Sequence, residues 1–517
     1  MTKITFGNNK NIAVENIYIS NKSERQEVGI IKWNKSHGKG LLNYVPRFGK
    51  TRTALMIIEK LFDSSKHFNK NVLIVAPNIT VAKQWEFNIN TFGFKNHKEK
   101  IDVVTRNLLN MSLCNKAYLL TIYDEVHKYV TTDKTYGKMI KQNEMSKFLL
   151  SLTGSLPNDK IQLNRILEMT PIVDVITEDE AIENKWIAPY KEYNIPLDFP
   201  ADIQREYYKY SEFITDTLNL FRGSAKLVNN IKVYKDIYFG FKSDYDVLTA
   251  CYTGRKDLTS NRYIQPNEVR DIVAKSNGWN VTLNLHDNYD KQIEEYWSPD
   301  AIFRRAKTFN EFVRLRKELI DTHRDKLKAI LAIIKDSINK ETIIYTASID
   351  FAEEIASTIN RIHGDNVAIT YHSKVPSKPL IDPSTGDFFR YKSGAKKGLP
   401  KVFGQTLLKK HYIEGIKQGV HKILVTVESL NEGLDIPNLK RVISIAGTRN
   451  AITHKQRTAR VKTIDQNDLL KEGKVYNIFF NDFLYKKEYI KSVDKTKLLL
   501  RQSNNINEPE YMELKIN

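Results

Sequence analysis

The sequence has few cysteines and no long apolar run, and each absence excludes a class of protein. Two cysteines, Cys114 and Cys251, are too few for a disulfide framework or a zinc knot. Nowhere do about eighteen apolar residues follow one another, which is the length that a membrane-spanning helix needs. Residues 1–20 are too polar for a secretory signal. We therefore expect an intracellular, soluble protein in the cytoplasm of a bacterium or of a virus-infected host cell.

The size and composition predict a folded chain with several structural units. The 517 residues are 41% hydrophobic and 27% charged, which is ordinary for globular proteins and unlike a disordered tail. At roughly 100 to 200 residues per domain, this length predicts about three or four units.

Positive charge is in excess, and part of the excess lies in one segment. Lysine and arginine number 80 against 61 aspartates and glutamates, a net charge of +19. Residues 371–420 hold ten basic and three acidic residues, a local net charge of +7. Within them, 373–410 is rich in glycine and proline and predicts a basic surface loop. Since no amphipathic basic helix or lipidation signal accompanies the charge, it favours nucleic acid over a membrane as the partner.

Short apolar runs rich in β-branched residues, each followed by a helical pattern, recur in two blocks. In the first block the runs are 40–44, 72–76, 101–104, 118–123 and 148–153. In the second block they are 341–346, 367–371, 422–427, 441–445 and 474–480. This alternation is typical of parallel βαβ architecture, so the predicted class is α/β with two parallel-sheet lobes.

Residues 201–325 lack the strand alternation and predict a mainly helical insertion, which divides the chain into domains 1–200, 201–325 and 326–517. Helix-like stretches cover 204–221 and 303–320. Aromatic residues alternate here with basic residues, a combination that stacks bases and holds phosphates, although a hydrophobic core is the simpler interpretation of the rings. These residues are Tyr207, Tyr208, Tyr210, Tyr296, Trp297, Phe303, Phe309, Phe312, Arg304, Arg305, Lys307, Arg314 and Arg316.

A strand, a loop and a helix follow one another around residues 40–58. The loop reads VPRFGKT at 45–51. Such a loop directs backbone N–H groups and a helix N-terminus at an anion, with Lys50 on the β and γ phosphates and Thr51 on Mg²⁺. The usual phosphate-loop pattern has glycine at the position of Tyr44, so by itself this loop is an imperfect signal.

Two carboxylates follow the strand pattern at 118–123, where residues 124–127 read DEVH. Ligands bind at the C-terminal edge of parallel strands, so Asp124 is placed to complete a Mg²⁺ shell and Glu125 to activate water. Alone, this pair also fits a solvated turn. Its spacing after the loop predicts a nucleotide site.

Further short motifs follow in an order that resembles superfamily 2 helicases of the DEAD/DEAH type. The second motif of that family reads D-E-x-H, as at 124–127, and Arg25-Gln26 resembles the motif that reads adenine. The other matches are 76–78 with 84–85, Thr105, 151–155, 343–346, 426–437 and 456–460. The loop at 46–50 is similar to that of phage helicases related to branch-migration and recombination enzymes.

The resemblance implies two RecA-like lobes with ATP and Mg²⁺ between them, and His127 with Thr153 as a link to the nucleic acid. The implied catalytic residues are Lys50, Glu125, Gln456, Arg457 and Arg460. The implied cofactor-binding residues are Gln26, Arg47, Gly49, Lys50, Thr51, Gly433 and Asp435. Metal binding falls to Thr51 and Asp124. Nucleic-acid binding falls to Pro77, Thr105, Thr346 and Thr426 by resemblance, and to Lys396 and Lys397 by charge.

One position departs from the family. Its sixth motif usually has another arginine three residues after Arg460, but this chain has Thr463 there, with Lys462 beside it. Arginine fingers contribute strongly to phosphoryl transfer. Either Lys462 substitutes, or the other arginines share the role, or the enzyme hydrolyses ATP slowly.

Three functions remain open at this stage. The first is a helicase that couples ATP hydrolysis to translocation and to strand separation or branch migration, on DNA in preference to RNA. The second is a duplex translocase that does not unwind, like type III restriction motors. The third is a slow, ATP-gated clamp in a transcription or repair complex. Replication, recombination or transcription proteins are the further partners we expect.

Overall fold

A computed structural model of the chain describes residues 21–64, 67, 70–109, 116–232, 243–255, 265–279, 296–375, 377–380, 387–427, 436–446, 451–465, 468, 470–481 and 510–511. Cys114, Gly433 and Asp435 lie outside these residues. Among the residues described, no helix is both long and apolar enough to span a membrane.

The first sheet has six strands in the order β3-β2-β4-β5-β1-β6, and all of its strand pairs are parallel. The strands are β1 Lys39–Tyr44, β2 Val72–Ala76, β3 Ile101–Thr105, β4 Tyr118–Asp124, β5 Ser146–Thr153 and β6 Ile172–Ile176. Every residue of β2 and β4 is buried, because helices cover both faces of a parallel sheet. That double burial is the reason for the unbroken apolar runs in the sequence.

Helices pack on both faces of this first sheet. They are α1 Lys22–Lys35, α2 Lys50–Asp63, α3 Ile79–Thr91, α4 Asp133–Glu144, α5 Lys160–Met169 and α6 Glu178–Glu183. Ile30, Ile57 and Trp85 belong to one hydrophobic core, and Met139 and Ile166 belong to a second. The helices thereby fix the C-terminal edge of the sheet, where β1 and β4 end.

The second sheet has seven strands in the order β15-β7-β14-β13-β8-β12-β9. Strands β10 and β11 form a separate antiparallel pair at the base of the basic loop. The strands are β7 Tyr190–Leu197, β8 Thr342–Thr346, β9 Ala368–Tyr371, β10 Lys378–Pro379, β11 Val402–Phe403, β12 Ile423–Val427, β13 Arg441–Ser444, β14 Gly473–Phe480 and β15 Glu510–Tyr511. Strand β7 precedes the insertion in the chain, yet it lies in this second sheet beside β14.

The remaining helices belong to the insertion and to the second lobe. Those of the insertion are α7 Ala201–Leu220, α8 Ala225–Lys232, α9 Asp244–Thr253, α10 Pro266–Asn277 and α11 Pro299–Asp321. Those that follow are α12 Arg324–Ile334, α13 Ile349–His363, α14 Gln405–Lys417 and α15 Ala451–Thr458. The predicted α/β class, with two parallel-sheet lobes and helical segments between them, is confirmed.

The chain divides into two compact units, one with both sheets and one with Leu197–Lys326. Within the second unit, four of the eight rings singled out in the sequence pack inward: Phe309 is buried, and Phe303, Phe312 and Trp297 pack against the same core. Arg305 donates to Thr217 Oγ1 at 3.3 Å and lies inside the unit as well. These four rings therefore belong to the core of the insertion.

Candidate active site

The loop between β1 and α2 has the backbone of an anion-binding loop. Lys50 begins α2, and Gly49 before it has φ 112° and ψ 39°, a left-handed conformation that favours glycine. A Cβ at Gly49 would come within 2.7 Å of Gln26 Nε2, so a side chain here would displace the Gln26 amide. The first N–H groups of a helix have no intrahelical acceptor, and the first turn of α2 holds no acidic residue. This helix end is therefore suited to a negatively charged ligand.

Lys50 lies close to the carboxylate that the sequence pairs with it. Its Nζ is 3.6 Å from Glu125 Oε1 and donates to the Tyr44 carbonyl at 3.4 Å. The end of β5 is also near, since a Cβ on Gly154 would be 3.0 Å from Lys50 Nζ. Strands β1, β4 and β5 thus bring their C-terminal ends to one place, as parallel neighbours in a sheet do.

Asp124 is the last residue of β4, and its carboxylate is buried. Trp85 on α3 donates its Nε1–H to Asp124 Oδ2 at 2.8 Å. Burial, together with the neighbouring charge of Glu125, raises the pKa of Asp124 to about 6. Ionisation of a buried carboxyl with a raised pKa is unfavourable, and a bound cation would reduce that cost. Thr51 lines the same cleft. Both residues offer the hard oxygen ligands that Mg²⁺ prefers.

Glu125 has a left-handed backbone with φ 52°, a conformation that non-glycine residues rarely adopt. Burial opposes ionisation of this carboxyl, but the neighbouring positive charges, first that of Lys50, outweigh burial and hold the pKa of Glu125 below its usual range. Glu125 is therefore an ionised acceptor at neutral pH. A carboxylate in that state can take a hydrogen bond from water.

His127 contacts both the site and the end of β5. Its Nδ1 is 3.0 Å from Thr153 Oγ1 and 3.5 Å from Glu125 Oε2. Thr153 Oγ1 in turn donates to the Ser155 carbonyl at 2.8 Å. Burial lowers the pKa of His127, so the ring is neutral at pH 7. The two residues that the resemblance links are in direct contact.

A single cleft of about 440 Å³ joins the two lobes at this point. One wall comes from the first lobe and the other from the segment that includes the C-terminal part of α15. The lining residues are Lys22, Pro46, Arg47, Gly49, Lys50, Thr51, Pro77, Val81, Gln84, Asp124, Glu125, Trp186, Gln456, Ala459, Arg460, Thr463 and Ile464. Gln456 and Arg460 therefore face the same space as Lys50, Asp124 and Glu125.

Arg457 does not line this cleft. Its Nη1 donates to the Ala446 carbonyl at 2.9 Å and to Ser444 Oγ at 3.1 Å, and its guanidinium lies 4.7 Å from the centre of the Tyr345 ring. The side chain is buried within the second lobe. In this position Arg457 holds α15 against the end of β13.

Lys462 is also directed away from the cleft. Its Nζ forms an ion pair with Glu178 Oε2 at 2.8 Å and lies 4.4 Å from the centre of the Tyr190 ring. The side chain is only 2% exposed. Thr463, by contrast, lines the cleft. The position of Lys462 gives no support to its substitution for the arginine that the family has at Thr463.

The other predicted residues are distributed over both lobes. Pro77 lines the cleft beside the phosphate loop. Thr105, Thr346 and Thr426 are buried at the C-terminal parts of their strands, and Thr426 Oγ1 donates to the Tyr371 carbonyl at 2.8 Å. Lys396 and Lys397 are exposed on the basic loop.

Gln26 contacts the phosphate loop from outside. Its Nε2 donates to the carbonyls of Phe48 and Gly49 at 3.4 and 3.3 Å. Its Oε1 is buried and accepts no hydrogen bond within the described part of the chain. An acceptor in this state suits a ligand N–H group.

Sequence reasoning missed Lys22 and Trp186, which line the cleft, and the bond from Trp85 to Asp124. Lys22 Nζ donates to the carbonyls of Arg47 and Trp186 at 3.1 and 3.0 Å. Burial, with Arg52 nearby, lowers the pKa of Lys22 to about 8. The available signal was position, because Lys22 precedes Gln26 by one helical turn.

Residues 10–158 match the protein family described as Type III restriction enzyme, res subunit. A second similarity is to "Putative helicase 22" of a Sulfolobus islandicus filamentous virus (isolate Iceland/Hveragerdi), with 30% identity over 82 residues. That alignment covers 16% of this chain and only 14% of the viral protein. Both matches agree with the resemblance to superfamily 2 helicases, and neither bears on branch migration.

Solved structures are similar to the chain over most of its length at low identity. The Hef helicase domain of Pyrococcus furiosus is 16% identical with a TM-score of 0.46, over 89% of this chain and 95% of that one. The Mycobacterium smegmatis helicase Lhr, bound to single-stranded DNA and AMP-PNP, is 12% identical with a TM-score of 0.42, over 87% of this chain and 45% of that one.

Proposed function

We propose that this chain is an ATP-dependent helicase that couples hydrolysis in the cleft to translocation along nucleic acid, preferably DNA, and to strand separation or branch migration. One observation carries the proposal: the phosphate loop, the two carboxylates and Arg460 line a single space of about 440 Å³. A space of that size, with cations on two walls and an acidic pair between them, suits a nucleoside triphosphate with its metal.

Six side chains at the cleft have a role in this chemistry. Lys50 and the N–H groups at the start of α2 bind the β and γ phosphates. Thr51 and Asp124 would hold Mg²⁺, and the ion would supply positive charge that neutralises the phosphates. Glu125 orients the attacking water and accepts its proton, with Gln456 beside it. Arg460 faces the γ phosphate from the second lobe and stabilises the charge that builds there.

Gln26 fits the recognition of adenine. Its Nε2 is already used by the loop, which leaves the buried Oε1 as the free acceptor. The exocyclic amine of adenine is a donor, whereas guanine has a carbonyl at the equivalent position. An adenine that reaches this acceptor is favoured over guanine, so we expect ATP to be preferred over GTP.

The contact between His127 and Thr153 offers a route from the site to the nucleic acid. Glu125 touches His127, and His127 touches Thr153 at the end of β5. A change at the γ phosphate that moves Glu125 alters the segment 153–155 as well. Closure of the two lobes on ATP and reopening after hydrolysis then changes which lobe grips the strand.

Two surfaces carry the positive charge that such a grip needs. The first is the basic loop with Lys396 and Lys397, both exposed. The second is a pocket of about 360 Å³ in the insertion, lined by Ile231, Lys232, Asp300, Phe303, Arg304 and Lys307. Among the residues that the structure describes, Lys232, Arg304 and Lys307 take part in no ion pair, so they remain available for phosphates.

ATP turnover in the presence of different polymers tests the proposed function. Single-stranded DNA, duplex DNA, branched DNA and RNA are compared, with strand release from a labelled duplex measured in parallel. We expect stimulation by DNA and ATP-dependent strand release, both lost in Glu125→Gln. Turnover that no polymer stimulates would contradict a nucleic-acid motor.

A duplex translocase is the second candidate, because residues 10–158 match a restriction-enzyme family. Turnover stimulated by duplex DNA without strand release would favour it. Thr463 favours the slow clamp, because it stands where the family has an arginine. Lys462 does not replace that arginine, since it forms an ion pair with Glu178. A residual hydrolysis rate that Glu125→Gln leaves unchanged would favour the clamp.

A further inference from the structure

The phosphate loop is held from outside by one face of α1. Lys22 and Gln26 are four residues apart, so their side chains lie on the same face of the helix. Together they donate to the carbonyls of three consecutive loop residues, Arg47, Phe48 and Gly49. In a trans peptide the C=O and the following N–H point in opposite directions. Bonds on the carbonyl side therefore orient the next N–H groups away from α1.

Arg47 is the residue of this loop with an unfavourable backbone. Its φ is 75°, in the left-handed region that non-glycine residues rarely occupy. Lys22 Nζ donates to the carbonyl of this same residue at 3.1 Å. Such a conformation persists only where its surroundings enforce it. The lysine supplies an interaction that depends on this orientation of the Arg47 carbonyl.

Lys22 connects the loop to a second element as well. Its other bond is to the Trp186 carbonyl at 3.0 Å, and Trp186 packs edge-on against Phe48 at 5.3 Å between ring centres. Trp186 lies just before β7, a strand of the second sheet. Lys22, Arg47 and Trp186 all line the cleft. The ammonium thus bridges the phosphate loop and the segment that leads into the second lobe.

We propose that Lys22 is a positioning residue for ATP, which holds Arg47 in its left-handed conformation and so keeps the phosphate loop in the form that binds the triphosphate. The inference rests on the proposed ATP site and goes beyond it, because it assigns binding energy to a residue outside the loop. Lys22 acts through the Arg47 backbone and does not take part in the chemical step.

Substitution of Lys22 by methionine tests this role. We expect Lys22→Met to raise the KM for ATP about tenfold, the change that corresponds to losing support for one left-handed residue, and to leave kcat within about twofold. Lys22→Arg keeps a cation that can donate to both carbonyls and should keep the KM within about threefold of wild type. The matched control is Lys35→Met, an exposed lysine in the last turn of the same helix.

A second experiment, in the Arg47→Gly protein, distinguishes a Lys22 that positions the loop from a Lys22 that contacts the nucleotide directly. Glycine adopts φ 75° without strain, so in Arg47→Gly the loop no longer depends on the lysine. Adding Lys22→Met to Arg47→Gly should then change the KM for ATP less than about threefold. An undiminished tenfold change in that background would mean that Lys22 contacts the nucleotide directly, and it would overturn the proposal.

Two other results would also overturn it. One is a KM for ATP in Lys22→Met equal to that of wild type. The other is loss of the cooperative thermal transition in Lys22→Met, because the lysine would then serve the fold and not the nucleotide. Wild-type protein that neither hydrolyses ATP nor binds a fluorescent ATP analogue would refute the proposed function itself. That outcome is distinct from an active enzyme that tolerates Lys22→Met.

Discussion

Asp124 illustrates how a site residue works against the stability of its own fold. Its pKa is raised from 3.8 to about 6 by burial and by Glu125. A carboxyl with a raised pKa favours the folded state below its unfolded pKa, and that contribution is lost as the pH rises through about 6. At neutral pH the protein therefore holds an ionised carboxylate at a cost that Trp85 and Lys50 offset in part and that a bound cation would reduce further.

Asp124→Asn should stabilise the protein and inactivate it. A shift of two pKa units corresponds to about 3 kcal/mol, so we expect a gain on the order of 2 kcal/mol at pH 7.5, decreasing through the window from about 6 to about 4. Denaturant unfolding at pH 7.5 and at pH 4 measures it. A variant less stable than wild type at pH 7.5 would contradict the account of this carboxyl.

Lys50→Ala should remove ATP turnover while most of the salt-dependent nucleic-acid binding remains. The reason is that turnover and nucleic-acid binding depend on different residues. Lys50 lies in the cleft, whereas Lys396 and Lys397 lie on the basic loop. Steady-state hydrolysis and a DNA titration at two salt concentrations check both parts. Full turnover in Lys50→Ala would refute the assignment of the loop.

At the scale of residues, a residue of the candidate site can be predicted from the sequence when it belongs to a short motif at the end of a strand. Lys50, Asp124 and Glu125 are of this kind, and they come together in the cleft. Side-chain direction is set by packing partners outside the motif, which is why the directions of the Arg457 and Lys462 side chains could not be predicted. Their partners, Ala446 and Glu178, carry no motif.

At the scale of elements, the ten predicted strands all coincide with strands of the structure. In β2 and β4 every residue is buried, because both faces of these strands are covered, and their sequences are accordingly almost wholly apolar. The sequence did not predict strand β6, because β6 lies at the edge of its sheet and exposed residues alternate with its buried ones. Strand β7 was missed because Glu192 and Asn194 interrupt its apolar pattern, and both are buried beside Asn477.

The ion pair between Glu178 after β6 and Lys462 after α15 joins the two lobes and provides a test at this scale. Lys462 is fully buried, so Glu178→Gln leaves a charge without its partner and should lower stability by about 2 kcal/mol. Glu178→Gln with Lys462→Met should recover most of that loss, as double-mutant unfolding measures.

The same variants separate a structural lysine from an arginine-finger substitute. Lys462→Met should keep kcat for ATP within about tenfold of wild type, because its ammonium is bound to Glu178. Arg460→Ala is the matched comparison, since Arg460 lines the cleft, and it should lower kcat by about a thousandfold. A loss in Lys462→Met as large as that in Arg460→Ala would contradict the assignment.

At the scale of the whole molecule, the chain carries a net charge of +19, and we expect the response of nucleic-acid binding to salt to depend on where that charge is concentrated. Replacing four lysines of the basic loop and α14 by glutamine should weaken binding to unrelated sequences alike. It should also reduce the slope of log affinity against log salt by about 0.9 for each phosphate of duplex DNA that the protein no longer neutralises. These residues are Lys396, Lys397, Lys409 and Lys410.

The control for that experiment is a pair of exposed lysines on the first lobe. Lys134 and Lys141 on α4 are exposed, and their replacement by glutamine changes net charge without touching the basic loop. We expect them to leave the slope nearly unchanged. The same reduction per lysine in both sets would show that net charge, and not the loop, governs binding.

The most direct test of the whole account is an experimental structure with Mg²⁺, ADP and beryllium fluoride, which mimics the γ phosphate. We expect the fluoride group between Lys50 and Arg460, the metal on Thr51 and Asp124, and a water held by Glu125. A nucleotide bound elsewhere, or one that Lys50 contacts while Arg460 remains out of reach of the fluoride, would contradict a motor driven from this cleft.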